Sequence, residues 1–82
     1  MNERLTMKRL KILIALSREI FPSVSELARH LEMDRGNLQR ELRWMRAENW
    51  VALKLAKPNR SVPALTQKGG SVLARFRSEV AA

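Results

Sequence analysis

Between Arg35 and Glu48 the chain carries residues whose types and spacing suit the edges of nucleic-acid bases. Gly36, Arg40, Arg43 and Ala47 fall on one face of a helix, with Gln39 and Arg46 on one flank and Asn37 and Trp44 on the other. A guanidinium aims paired donors at O6 and N7 of guanine, and a carboxamide pairs in the same way with N6 and N7 of adenine. Gly36, in the first turn beside Arg35, lets the backbone come close to whatever this face meets. Arginine placed only for solubility would have no use for glycine and amides, which lower helix propensity. The pattern points to direct readout of base pairs in a duplex.

Such a face needs a buried back and a fixed start. Leu38, Leu42 and Met45 follow i, i+4, i+7 on the opposite side and form the core stripe, while Asp34 caps free N–H groups and suits the positive end of the helix dipole. Upstream, Ser23-x-x-Glu26 is a capping-box signature for a helix over about Val24 to Leu31. Val24, Leu27, Ala28 and Leu31 recur at core spacing, and Ala28 is small where two helices must cross. Glu32 and Met33 form the turn, with Met33 plugging the angle. Ser23 to Met45 therefore reads as two short helices joined by a tight turn, a unit that lays its second helix in the major groove. The start of the first helix brings Ser23, Ser25 and Arg29 towards the phosphate backbone. His30 lies near the same side as a phosphate contact or plain surface.

Beyond this unit, Trp50 to Ala56 alternates as a half-buried strand through Val51, Leu53 and Leu55. Lys57-Pro58-Asn59-Arg60 reads as a turn, and Ser61 to Leu65 returns as an edge strand because Pro63 cannot donate to a central ladder. A hairpin here hangs Lys57, Asn59 and Arg60 beside the arginine-bearing helix, able to reach phosphates or an adjacent minor groove, or else forms an ordinary basic loop. Thr66 caps a last helix over Gln67 to about Val80, striped by Val72, Leu73, Phe76 and Val80. Gly69 and Gly70 permit close contact with the hairpin or the first helix. That first helix is predicted over about Glu3 to Ile20, ending before Phe21-Pro22. At 100° per residue its apolar side chains span roughly 220°, against little over 100° for a single core stripe, leaving Arg4, Lys8, Lys11 and Arg18 in water. The surplus arc faces a two-fold partner or is covered by the hairpin and last helix.

With 82 residues the chain is one small domain, 1–82, and a core of that size calls for regular helix packing or self-association. A net charge of +8, from 16 basic and 8 acidic residues spread along the chain, favours a polyanionic partner. There is no cysteine, which excludes disulfides and thiolate metal sites. The longest apolar run, Ile12 to Leu16, is too short for a membrane span or a signal peptide, so a cytoplasmic protein without a membrane is expected. Catalysis lacks its parts: Asp34 is the only aspartate and serves as a cap, His30 is the only histidine, and there is no phosphate loop or zinc spacing. No enzyme, metal or cofactor is predicted.

The predicted fold is mainly α with a small β-hairpin: a three-helix core, a two-stranded wing and a C-terminal helix. That order, with SELARHLEMDRGNLQRELRWM followed by ENWV, resembles the winged helix-turn-helix regulators of the MarR and ArsR-like kind. LTQKGGSVL looks like the LT-x-x-G start of that family's last helix. LTMKRLKILIAL with PSVSELARHLEMDRGNLQREL also resembles small prokaryotic regulators found beside toxin–antitoxin genes. Departures from the pattern are Glu32 and Asn49, where glycine is frequent, and Trp44, where a polar residue is usual. Trp44 packs on the first helix, meets a second subunit or lies against DNA. Larger relatives have ligand pockets or metal-sensing ligands, for which this chain has neither the length nor the thiols.

The resemblance implies a sequence-specific regulator of transcription on double-stranded DNA. In the simplest form it is a repressor and a homodimer through the first helix, with or without the last. The residues expected at DNA are Ser23, Ser25, Arg35, Gly36, Asn37, Gln39, Arg40, Arg43, Lys57, Asn59 and Arg60. Two other readings are a winged module that binds a protein, such as a toxin or a polymerase subunit, and a non-specific DNA- or RNA-binding protein. A shortage of aromatics speaks against stacking on single strands.

Overall fold

The computed structural model describes residues 4–58 and 60–81, with the backbone alone for residues 56, 57 and 81. Thr6 sets the first boundary: the Arg9 N–H donates to its hydroxyl at 3.2 Å, and α1 runs over Met7–Arg18. The helix is shorter than the sequence pattern predicts. Residues 4–6 lie outside it, and Glu19 turns extended at φ −156° while its N–H still reaches the Ala15 carbonyl at 3.2 Å. Ile20 is left 63% exposed, whereas Phe21, barred from helical geometry by Pro22, swings into the core.

Helix α2 occupies Val24–Leu31, and the Glu26 N–H donates to Ser23 Oγ at 3.1 Å. The Glu26 carboxylate lies 3.4 Å from Arg29 Nη1, on its own helix. Helix α3 follows over Arg35–Ala47, with the Asn37 N–H donating to Asp34 Oδ2 at 3.1 Å. Leu38, Leu42 and Met45 are buried as the stripe requires.

Both helix ends where glycine is frequent close in the glycine manner. Glu32 stands at φ 54° and Asn49 at φ 65°. The Met33 N–H reaches back to the Ala28 carbonyl and Glu32 to Arg29. In the same pattern Trp50 reaches Met45 and Asn49 reaches Arg46. These paired bonds are the Schellman arrangement, which uses up the last carbonyls of a helix. Glu32 therefore leaves the turn in its usual geometry at a cost of roughly 1 kcal/mol of backbone strain, and asparagine tolerates the same region better.

Strands β1 (Val51–Lys57) and β2 (Arg60–Leu65) pair antiparallel, with Val51 opposite Leu65, Leu53 opposite Pro63 and Lys57 opposite Arg60 across an irregularity after Leu55. Helix α4, Gln67–Ala81, returns across α1. Trp50 ties these parts together. It is buried, its carbonyl accepts the Thr66 N–H at 3.1 Å, and a Cβ on Gly69 would collide with that same oxygen. Thr66 Oγ1 in turn accepts the Gly69 N–H at 3.0 Å and donates to the Asn49 carbonyl at 2.6 Å.

Helix α1 is the centre of the packing and touches α2, α3, α4 and β2. Much of its broad apolar arc is thus covered within the chain: Ile12, Leu13, Ala15 and Leu16 are buried, and Leu10 and Ile14 pack against the core. Met7, at 67% exposed, is the part left open. The strand alternation holds only at its start, for Val51 is buried whereas Leu53 and Leu55 are 49% and 66% exposed. Among the described residues no helix is long and apolar enough to cross a membrane.

Candidate nucleic-acid interface

Packing distinguishes the two flanks of α3, which the sequence leaves equivalent. On the flank towards α1, Arg9 Nε donates to Glu41 Oε1 at 2.7 Å, and its guanidinium carbon stands 3.5 Å over the Trp44 ring. Trp44 meets Trp50 edge-on, with ring centroids 5.1 Å apart and planes at 85°. Trp44 thus packs on α1 through Arg9. Arg9 Nη1 also donates to the Arg4 carbonyl, and Arg4 Nη1 lies 2.6 Å from Glu48 Oε1. Glu41 of this helix and Glu48 at its C-cap are therefore engaged by arginines outside it, while Asp34 at its N-cap accepts the Asn37 N–H.

The consequence is electrostatic. With Glu41 and Glu48 turned to that side, the outward face of α3 holds cations without acidic partners. Arg35, Arg40, Arg43 and Arg46 are exposed and form no ion pair among the described residues. Arg35 in the first turn even opposes the helix dipole, a placement that costs a few tenths of a kcal/mol and suits a nearby anion.

The other flank faces the hairpin. Gln39, Arg43 and Arg46 border a notch of about 170 Å³ whose remaining walls are Val24, Leu42, Leu53 and Pro63. The start of α2, the α3 flank and the middle of β1 thus meet at one place. Ser23 at that start is half-buried and serves as the cap acceptor, and Ser25 is exposed. Gly36 and Asn37 are exposed in the first turn of α3. A Cβ on Gly36 would come within 3.1 Å of Asp34 Oδ2, so this glycine also makes room for the cap.

At the far end of the hairpin, Lys57 closes β1 opposite an exposed Arg60, and Asn59 lies outside the described residues. His30 is exposed, as the plain-surface reading has it. Its ring stacks at a tilt on Phe21, 5.0 Å between centroids, in a cleft shared with Lys11 and Arg18 of α1 and not with α3. No cluster of metal-ligating side chains occurs among the described residues. Two contributors escape sequence reasoning: Arg9, which joins a carboxylate 32 residues away, and Leu53, which is left half exposed beside α3.

The profile of the bacterial regulatory protein, ArsR family, matches residues 6–52, more than half of the chain. No curated protein sequence matches. Among solved structures, the apo form of wild-type MarR from E. coli is similar with a TM-score of 0.77 and 26% identity, over 87% of this chain and 54% of MarR. The M. tuberculosis transcriptional regulator MosR is similar with a TM-score of 0.75 and 27% identity, over 93% of this chain and 61% of MosR. The complex structure of hsRosR-S1 shares the fold, with a TM-score of 0.76 at 20% identity, over 93% of this chain and 72% of that one. The chain therefore spans little more than half the length of the first two.

Proposed function

This chain belongs to the ArsR family of bacterial regulatory proteins, DNA-binding transcription regulators built on a winged helix-turn-helix, and from that premise we propose that it represses transcription by occupying a specific duplex site. The observation that carries the reading is the outward face of α3, where Arg40 and Arg43 stand exposed with no ion pair among the described residues. In the major groove Arg40, Arg43 and Gln39 contact base edges, while Gly36 and Asn37 bring the first turn close. Arg35, Ser23 and Ser25 hold phosphates at the helix starts. Lys57, Asn59 and Arg60 reach the backbone or minor groove beyond the site.

The domain, 1–82, acts as a homodimer on a palindromic site. Support comes from an apolar groove of about 330 Å³ between the start of α1 and α4, bordered by Leu5, Met7, Leu10, Val72, Phe76 and Val80. A symmetric partner at that groove would supply a second reading helix for the other half of such a site. The same groove also supports the second reading, a module that docks on a different protein. The protein works in the cytoplasm without catalysing a reaction.

Selection of bound duplexes from a random pool tests the assignment, with analytical ultracentrifugation alongside. The expected outcome is a recovered palindrome and a sedimenting dimer. A pool without enrichment, with binding that ignores sequence, overturns the reading. Enrichment of a single half-site by a monomer retains DNA reading and removes the dimer.

A further inference from the structure

The notch between α3 and the hairpin has a composition unlike the rest of the candidate interface. Val24, Leu53 and Pro63 make an apolar wall, and Gln39 and Arg43 stand at its rim. Leu53 is half exposed although its partner across the ladder, Pro63, is buried. An apolar side chain left open beside two base-reading groups matches one feature of the major groove in particular. Thymine alone among the four bases carries a methyl group there, and apolar side chains recognise it.

We propose that this notch receives the 5-methyl group of a thymine adjacent to the base pair contacted by Arg43, with Leu53 as its main contact. The inference rests on the DNA-reading function above. A volume of about 170 Å³ exceeds what one methyl group fills, so the edge of the pyrimidine ring enters with it. The cationic rim supplies complementarity to the flanking phosphates and to an adjacent guanine, so the methyl and the guanidinium read neighbouring steps together. In this arrangement the strand β1 contributes to specificity as well as carrying the basic hairpin tip.

The test replaces each thymine of the selected duplex in turn by deoxyuridine, which removes only the methyl group. With the wild-type chain, one replacement in each half-site is expected to weaken binding about fourfold, the value of one buried methyl-sized group. In Leu53→Ala, the same thymine and uracil duplexes should bind alike, while circular dichroism and melting report an intact fold. Leu53→Met, which keeps the apolar contact, should retain the discrimination. Uracil tolerated at every position alongside sequence-specific binding overturns the methyl site and leaves the DNA-reading function standing. A uracil effect of the same size in Leu53→Ala also overturns it, because the methyl is then read elsewhere. Loss of all sequence preference in the wild-type chain removes the underlying function and the inference with it.

Discussion

Arg9 in α1 and Arg43 in α3 are alike in charge and length and sit on helices that pack together, yet their surroundings differ. Arg9 is largely enclosed, bonded to Glu41 at 2.7 Å and laid over Trp44 at 3.5 Å, with a further hydrogen bond to the Arg4 carbonyl. Arg43 is exposed beside an apolar notch and has no carboxylate partner among the described residues. The first arginine places its donors within the fold, on Glu41 and the Arg4 carbonyl, whereas the second, two positions from Glu41 and so on the other side of α3, is left facing outward. A strongly basic composition thus divides into cations that hold the scaffold and cations left for an external anion. Measurements that separate stability from DNA discrimination should separate the two groups.

The largest effect is expected at the centre of the enclosed group. Trp44→Ala removes the platform under Arg9 and the edge contact to Trp50, and should destabilise the fold by about 2–3 kcal/mol in urea unfolding, below the range for a fully buried tryptophan. If stability is unchanged while DNA affinity drops, Trp44 belongs with the reading face and the comparison fails at its clearest point. Next in size, Arg43→Ala or Arg40→Ala should lower discrimination at single operator positions by about 1–3 kcal/mol. Their unfolding midpoints should stay within about 0.5 kcal/mol of wild type. Titrations against operator and scrambled duplexes check the first quantity, and equal discrimination by both variants and wild type would defeat the assignment of α3. Arg60→Ala should instead weaken all sequences alike and flatten the salt dependence by about one counterion.

What the sequence makes legible here follows from the range of the interaction. The span of α2 and the start of α3 are readable because Ser23 and Asp34 cap through hydrogen bonds to residues three positions away. The arginine-bearing face is readable for the same reason, since helical periodicity needs no tertiary information. The division of that face into an α1 flank and a hairpin flank is not readable, because it depends on which neighbour packs on each side. Arg9 and Glu41 look like two ordinary surface charges until α1 crosses α3. Leu53 and Leu55 illustrate the converse limit: alternation places them on one face with Val51 but cannot say how much of that face is covered. The apolar pattern extends the first helix too far because it runs through Leu5 and Ile20, while the cap at Thr6 and the need to bury Phe21 set its ends.

Smaller effects sharpen the comparison inside the enclosed group. Arg9→Ala should cost about 1–2 kcal/mol, since its side chain is only 16% exposed and combines a charged hydrogen bond with a cation–π contact. A double-mutant cycle with Glu41→Gln isolates the ion pair, and a coupling near zero would assign the stabilisation to Trp44 alone. Arg4→Ala should cost less than about 0.5 kcal/mol, for its side chain is 65% exposed and water screens its pairing with Glu48. The substitution also preserves the Arg4 carbonyl to which Arg9 donates, so the inner arrangement survives. A loss above about 1 kcal/mol, measured at both low and high salt, would show that Glu48 needs Arg4 to stay turned from the outward face. In that case scaffold and reading cations would be coupled through the end of α3, and Arg4→Ala should weaken operator binding as well.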